Sequence, residues 1–136
     1  MYRFVAVLNK KVEPGRVMNA LGHMAAGLGG GFPEKEKLAL DNYIDNDGSI
    51  HQSISDNPFI VLRADNSNQI RTLRNKLKEE NIYFVDFTST MVEGTSQEQK
   101  DRTKQTPEAE LEYFGTCFFG DDETLAPLTK KFSLWR

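Results

Sequence analysis

One cysteine, one tryptophan and two histidines are all that 136 residues hold of these types. A lone Cys117 excludes an intrachain disulfide framework and points to a reducing compartment. His23, His51 and Cys117 are the only soft metal-ligand candidates. A structural zinc site needs four Cys or His at short spacing, so neither a metal nor another cofactor is expected. Long hydrophobic runs are missing as well. The run Phe4–Leu8 has five apolar residues, against roughly 7–15 for a signal-peptide core and ~18–20 for a membrane span. The uncharged stretch Val17–Pro33 is broken by glycines, Asn19 and His23. Positive charge is not in excess either. Seventeen Lys and Arg face twenty Asp and Glu, a net charge of −3, which disfavours nucleic acid because phosphate backbones select basic surfaces. The expectation is a cytoplasmic protein without membrane association.

What the chain does have is material for one core. Hydrophobic residues make up 38%, charged residues 27%, and there are nine Phe and four Tyr. That composition fits a single domain over residues 1–136 and argues against disorder. Phe4–Leu8 is apolar and rich in branched residues, as in a strand buried on both faces. After the break at Glu13-Pro14-Gly15, the residues Val17, Ala20, Leu21, Met24 and Leu28 recur at spacings of three and four, which predicts a helix over 16–28. Its glycines cost helix propensity, roughly 1 kcal/mol per interior Gly, and its many small residues suit close packing against another backbone. A short helix is expected over Glu34–Leu40.

Asp45-Asn46-Asp47-Gly48 lies between Tyr43-Ile44 and Ser49-Ile50-His51, a hairpin signal that places a small exposed ribbon at 43–51. A calcium loop is excluded there. With Gly48 at the sixth position, Tyr43 and Ile54 fall where the first and twelfth ligands belong. Phe59–Leu62 reads as a strand, followed by a helix to about Glu80 capped by Asp65 or Ser67, with Ile70, Leu73 and Leu77 buried. Ile82–Phe87 and Tyr113–Phe119 are further strands, Asp121–Glu123 opens a last helix, and Phe132–Trp135 is a terminal edge segment. The polar stretch 95–110 is a surface loop or solvated helix. Together these elements predict an α/β fold: a mixed four-stranded sheet with helices on both faces, plus the ribbon insert.

The residues that bear chemistry gather at the carboxyl ends of strands, where open α/β sheets place their clefts. Gly15-Arg16 follows the first strand and opens a helix, so its free amides and guanidinium can hold an anion; a capped helix with a solvated Arg is the alternative. Asp86 ends a strand and precedes Thr88, Ser89 and Thr90, while Asn19 and His23 mark the polar face of the first helix. An Asp86–His23 hydrogen bond would serve either as a catalytic base or as a structural tie. Cys117, in the middle of Phe114–Phe119, reads as a small core residue.

In this order the elements resemble the type-two peptidyl-tRNA hydrolase fold: an apolar strand, Gly15-Arg16-Val17 opening a small-residue helix with His23, a strand–helix–strand unit ending in Asp86, then Thr90 and a strand to Gly120. More closely, the chain is similar to a bacterial family with that fold, the domain-of-unknown-function family two thousand. The insert at Tyr43–Gly48, with His51 and Pro58–Leu62 after it, carries that likeness. The resemblance implies a pocket in which Gly15, His23, Asp86 and Thr90 match hydrolase positions. The hydrolases' Lys is Arg16 here, and their Gln is Ala20. Arg keeps the charge but not a tunable proton, and Ala20 removes an amide. A tRNA substrate would also need a basic surface, whereas Asp121, Asp122 and Glu123 sit at a helix start.

Three readings follow. A pocket at the sheet's carboxyl end binds a small polar or anionic ligand through Gly15, Arg16 and Asn19. Alternatively His23, Asp86 and Thr90 hydrolyse an ester or amide bond. In the third, the ribbon at 43–51 joins two copies into a homodimer. The altered Lys and Gln positions favour binding.

Overall fold

A computed structural model describes residues 1–136. Seven strands and four helices follow one another as β1 (Tyr2–Asn9), α1 (Pro14–Gly31), β2 (Leu40–Ile44), β3 (Ile50–Ser55), β4 (Phe59–Ala64), α2 (Ser67–Glu79), β5 (Phe84–Thr88), α3 (Ser96–Gln105), β6 (Tyr113–Asp121), α4 (Asp122–Thr129) and β7 (Ser133–Leu134). Short 3-10 turns lie at Lys35–Leu38, Ser89–Met91 and Glu108–Glu110. The main sheet is mixed, in the order β5-β6-β1-β4-β7. Only β1 and β4 run parallel, in register from Phe4 opposite Phe59 to Asn9 opposite Ala64. β6 is antiparallel to both β1 and β5. The sheet thus has five strands where four were expected, because the terminal segment adds β7 against Leu62 and Arg63 of β4.

Period-two alternation divides the core into two layers. Phe4, Ala6 and Leu8 of β1 face α1 with Val17, Ala20, Met24 and Leu28, while Val5 and Val7 face the opposite way, towards Ile70, Leu73 and Leu77 of α2 and Leu125 of α4. That double burial is why β1 reads as an unbroken apolar run. The glycine that lies against another backbone here is on the strand instead of the helix, whereas Gly22, Gly29 and Gly30 of α1 meet nothing within 4 Å. A Cβ on Gly115 of β6 would stand 2.8 Å from Leu8 Cδ2, 3.0 Å from Met24 Cε and 3.0 Å from the Val7 carbonyl oxygen.

Several boundaries differ from expectation for local reasons. α2 is capped by neither Asp65 nor Ser67 but by Asn66 between them, whose side chain accepts from the Gln69 amide. The expected short helix is a single 3-10 turn. The ribbon extends to 40–55, and all of β2 is exposed. At its tip, Asp45 Oδ1 accepts from the amides of Asp47 and Ser49, and its other oxygen lies 2.9 Å from His51 Nε2. That carboxylate therefore builds the turn, and His51 with the two amides holds its pKa below the usual range. No helix is long and apolar enough to cross a membrane.

Candidate functional site

The polar stretch after β5 folds into α3 because Thr95 and Glu98 form a reciprocal capping box, with the Thr95 hydroxyl accepting from the Glu98 amide and the Glu98 carboxylate from the Thr95 amide. α3 buries no residue of its own. Hydrogen bonds hold it instead. Thr90 Oγ1 lies 2.7 Å from Thr88 Oγ1 and 2.7 Å from Thr103 Oγ1. The Arg102 guanidinium donates to the carbonyls of Thr90 and Glu93 at 3.1 and 3.2 Å.

Between α1 and α3, at the carboxyl end of β5, opens a cleft of about 620 Å³. Asn19 and His23 line it from α1, Phe87, Met91 and Val92 from β5 and the turn after it. From α3 come Ser96, Gln99, Lys100, Thr103 and Lys104. These five positions follow the i, i+3, i+4, i+7, i+8 pattern of one helix face. The imidazole of His23 lies nearly parallel to the buried Phe87 ring, 28° between planes and 5.8 Å between centroids.

Charge in the cleft runs against the rest of the chain. Twenty Asp and Glu occur in the sequence, yet none lines the cleft, whose charged lining residues are Lys100 and Lys104. Neither lysine is in a salt bridge, whereas the acids nearest in sequence are engaged elsewhere: Glu98 in the cap and Asp101 with Gln97.

The expected site residues fall into four places. Asn19 and His23 line the cleft. Arg16, one turn before Asn19, is half-exposed at 3.8 Å from the Glu93 carboxylate and does not line the cleft. Gly15 sits in the first turn of α1, where the amides of Arg16 and Val17 already donate to the Glu13 carbonyl; the Glu13 carboxylate, 3.9 Å from where a Gly15 Cβ would lie, makes this helix start unfavourable to an anion. Thr90 is buried, with its hydroxyl in the chain that anchors α3.

Asp86 is elsewhere altogether. Phe84 and Asp86 project towards α2 while Val85 and Phe87 project towards α1. On that far face Asp86 accepts from Arg74 Nε at 2.7 Å, and the guanidinium stands 5.7 Å from the Phe84 ring and 5.8 Å from that of Tyr113. His23 and Asp86 therefore form no pair, either catalytic or structural. Cys117 is fully buried between α1 and the sheet, and burial pushes its thiol pKa up to about 12, which leaves it a core residue. No group of three or more His, Cys, Asp or Glu is arranged to hold a metal ion.

Comparison with known proteins adds a family and a fold. The model of the family described as "Protein of unknown function (DUF2000)" matches residues 2–136. A solved structure of a protein of unknown function, Atu0240 from Agrobacterium tumefaciens strain C58, superposes with a TM-score of 0.83 over 99% of this chain and 98% of the other, at 15% identity. At that identity the likeness concerns the fold alone. No curated protein matches the chain.

Proposed function

The chain belongs to the DUF2000 family, and we propose that its role is to bind a small anionic ligand in the cleft between α1 and α3. One observation carries this reading: in an acid-rich chain, the cleft is free of carboxylates and lined by Lys100, Lys104 and His23 over an apolar floor of Phe87, Met91 and Val92. A concave, mostly apolar site with a few convergent polar groups is the usual form of a small-molecule pocket. Binding is favoured over hydrolysis, because the carboxylate that would orient or deprotonate the imidazole is engaged by Arg74 on the other face. The chemistry is also not that of a peptidyl-tRNA site, since the Lys and Gln of that pattern are Arg16 and Ala20.

Titrating the 15N-labelled protein with a panel of small organic anions tests this. Amides over 96–104 and around Phe87 should shift together, and Lys100→Gln with Lys104→Gln should weaken binding by about tenfold, the loss of about 1.4 kcal/mol of charge–charge and hydrogen-bond energy. Shifts confined to other surfaces, or affinities indifferent to the lysines, would overturn the reading.

A second reading, self-association through the ribbon, is favoured by its apolar exposure. Leu40, Tyr43, Ile44, Ile50 and Ile54 are all more than half exposed there, and a two-stranded ribbon alone is marginally stable. Light scattering of the protein and of Ile44→Asp decides it: a dimer that the substitution dissociates supports it, and a monomer at high concentration ends it.

A further inference from the structure

Resting on the cleft being the binding site, we infer that its ligand is a phosphomonoester carried on a flat ring, a molecule of about mononucleotide size. The headgroup is read from α3. Lys100 and Lys104 are i and i+4 on one helix face, so their Cβ atoms stand ~6 Å apart. Both line the cleft and neither is neutralised. Two adjacent free ammonium groups suit a doubly charged head better than a single carboxylate. A phosphomonoester has that charge, roughly −1.5 to −2 at neutral pH, and three strong acceptor oxygens. Lysine serves it as a point charge without demanding the planar geometry that arginine imposes. Ser96, on the same face, supplies an uncharged donor one turn before Lys100.

The ring is read from the opposite wall. Phe87, Met91 and Val92 give the cleft an apolar floor, and the His23 imidazole already lies nearly parallel to Phe87. A flat ring entering there extends an existing stack, gains sulfur–aromatic contact with Met91, and meets in the Asn19 side chain one donor and one acceptor for ring heteroatoms. The volume of about 620 Å³ lies in the range of pockets that enclose molecules of this size. No Lys or Arg other than these two lines the cleft. One phosphate is accommodated, not a polyphosphate chain or a nucleic-acid backbone.

Calorimetry and 1H–15N titration of the full chain provide the test. The probes are adenosine 5′-monophosphate, 4-nitrophenyl phosphate, adenosine, inorganic phosphate and phthalate. At least one of the two ring phosphates should bind at least tenfold more tightly than inorganic phosphate, and the nucleotide at least tenfold more tightly than adenosine. Shifts should centre on His23, Phe87 and Val92. The double variant Lys100→Gln, Lys104→Gln should lose at least tenfold for the ring phosphates and leave the weak binding of adenosine as it was. Both lysines are exposed, and an unchanged melting curve confirms that the variant is folded. Adenosine binding as tightly as its monophosphate, an unaltered affinity in the lysine variant, or silence of both ring phosphates each overturns the inference. Phthalate shifting the cleft while both ring phosphates stay silent leaves an anion-binding cleft and removes the phosphomonoester. If all five probes leave the cleft resonances unmoved, the inference and the broader reading fail together.

Discussion

Replacing Asp86 by Asn separates a structural carboxylate from a functional one. The substitution keeps the shape and one acceptor but deletes the charge facing Arg74. The ion pair is 2.7 Å long, and its side chains retain 22% and 19% of their exposure. A fully exposed pair would be worth ~0.2–1 kcal/mol. Breaking a fully buried one costs about 3–5 kcal/mol, because the surviving charge is left without a counterion. With about four fifths of each side chain out of solvent, and with Arg74 packed over Phe84 and Tyr113, the cost falls between these limits, at about 2 kcal/mol. In a chain of this length that lowers Tm by about 6–10 °C. Urea denaturation followed by circular dichroism measures it. The double variant Arg74→Met, Asp86→Leu should recover most of the loss, since an apolar pair of similar volume leaves no orphaned charge. Ligand binding at His23, on the other side of the sheet, should be within twofold of the parent. An Asp86→Asn protein with an unchanged denaturation midpoint and abolished binding would refute the assignment and return Asp86 to the site.

Three further outcomes follow from the same geometry. Thr103→Val removes the hydroxyl that joins α3 to Thr90, so hydrogen exchange of amides 99–105 should quicken by about tenfold, equivalent to roughly 1.4 kcal/mol, while global stability shifts by less than about 0.5 kcal/mol; unchanged exchange would mean that α3 is held by something else. Gly115→Ala forces a methyl against the Val7 carbonyl, Leu8 and Met24 and should cost about 1–3 kcal/mol in chemical denaturation, whereas Gly29→Ala, with nothing within 4 Å of the added Cβ, should be neutral or stabilising. Alkali should destabilise the fold between about pH 9 and 12. Burial raises the pKa of Cys117 from 9.0, and burial with the Glu108 hydrogen bond raises that of Tyr113 from 10.0, each to about 12. Both groups are kept protonated by the fold, so their contribution is complete below the unfolded values and is lost as pH rises through the folded ones, at up to about 1.4 kcal/mol per pH unit for each group. Cys117→Ala should flatten that decline, and a parallel decline in both proteins would refute the thiol's share.

The architecture was legible where hydrophobic period and punctuation agree. Phe4–Leu8, the stripe Ile70, Leu73, Leu77 and the turn Asp45–Gly48 each became the element they announce. The fifth strand was foreshadowed only as an edge segment, since two residues pairing with Leu62 and Arg63 carry too little pattern to count as a strand by themselves. α3 was harder to read because it has no apolar face at all. Its signal is polar: Ser96, Gln99, Lys100, Thr103 and Lys104 recur at helical spacing while Glu98 and Asp101 fall between them, so the stripe that lines the cleft is a stripe of donors and cations. An apolar stripe is what ordinarily marks the inward face of a helix. Here that mark is missing, and the cleft's two lysines go unmarked with it.

The Asp86 expectation failed for a different reason, and the failure defines the site. A residue at the end of a strand is close in sequence to the cleft, yet the alternation of side chains assigns neighbours to opposite faces. In Phe84-Val85-Asp86-Phe87 one parity belongs to α1 and the other to α2. Phe87 supplies the cleft floor, so Asp86 is committed to the far layer and to Arg74. The sheet thereby keeps a carboxylate one residue away from the cleft floor and on its other side. With the parity reversed, Asp86 would face the α1 side of the sheet, the side on which the cleft opens. The absence of carboxylates from the cleft therefore owes something to strand register as well as to α3: Asp86, next to Phe87 in sequence, points to the other layer, while Glu98 and Asp101 are engaged on α3 itself.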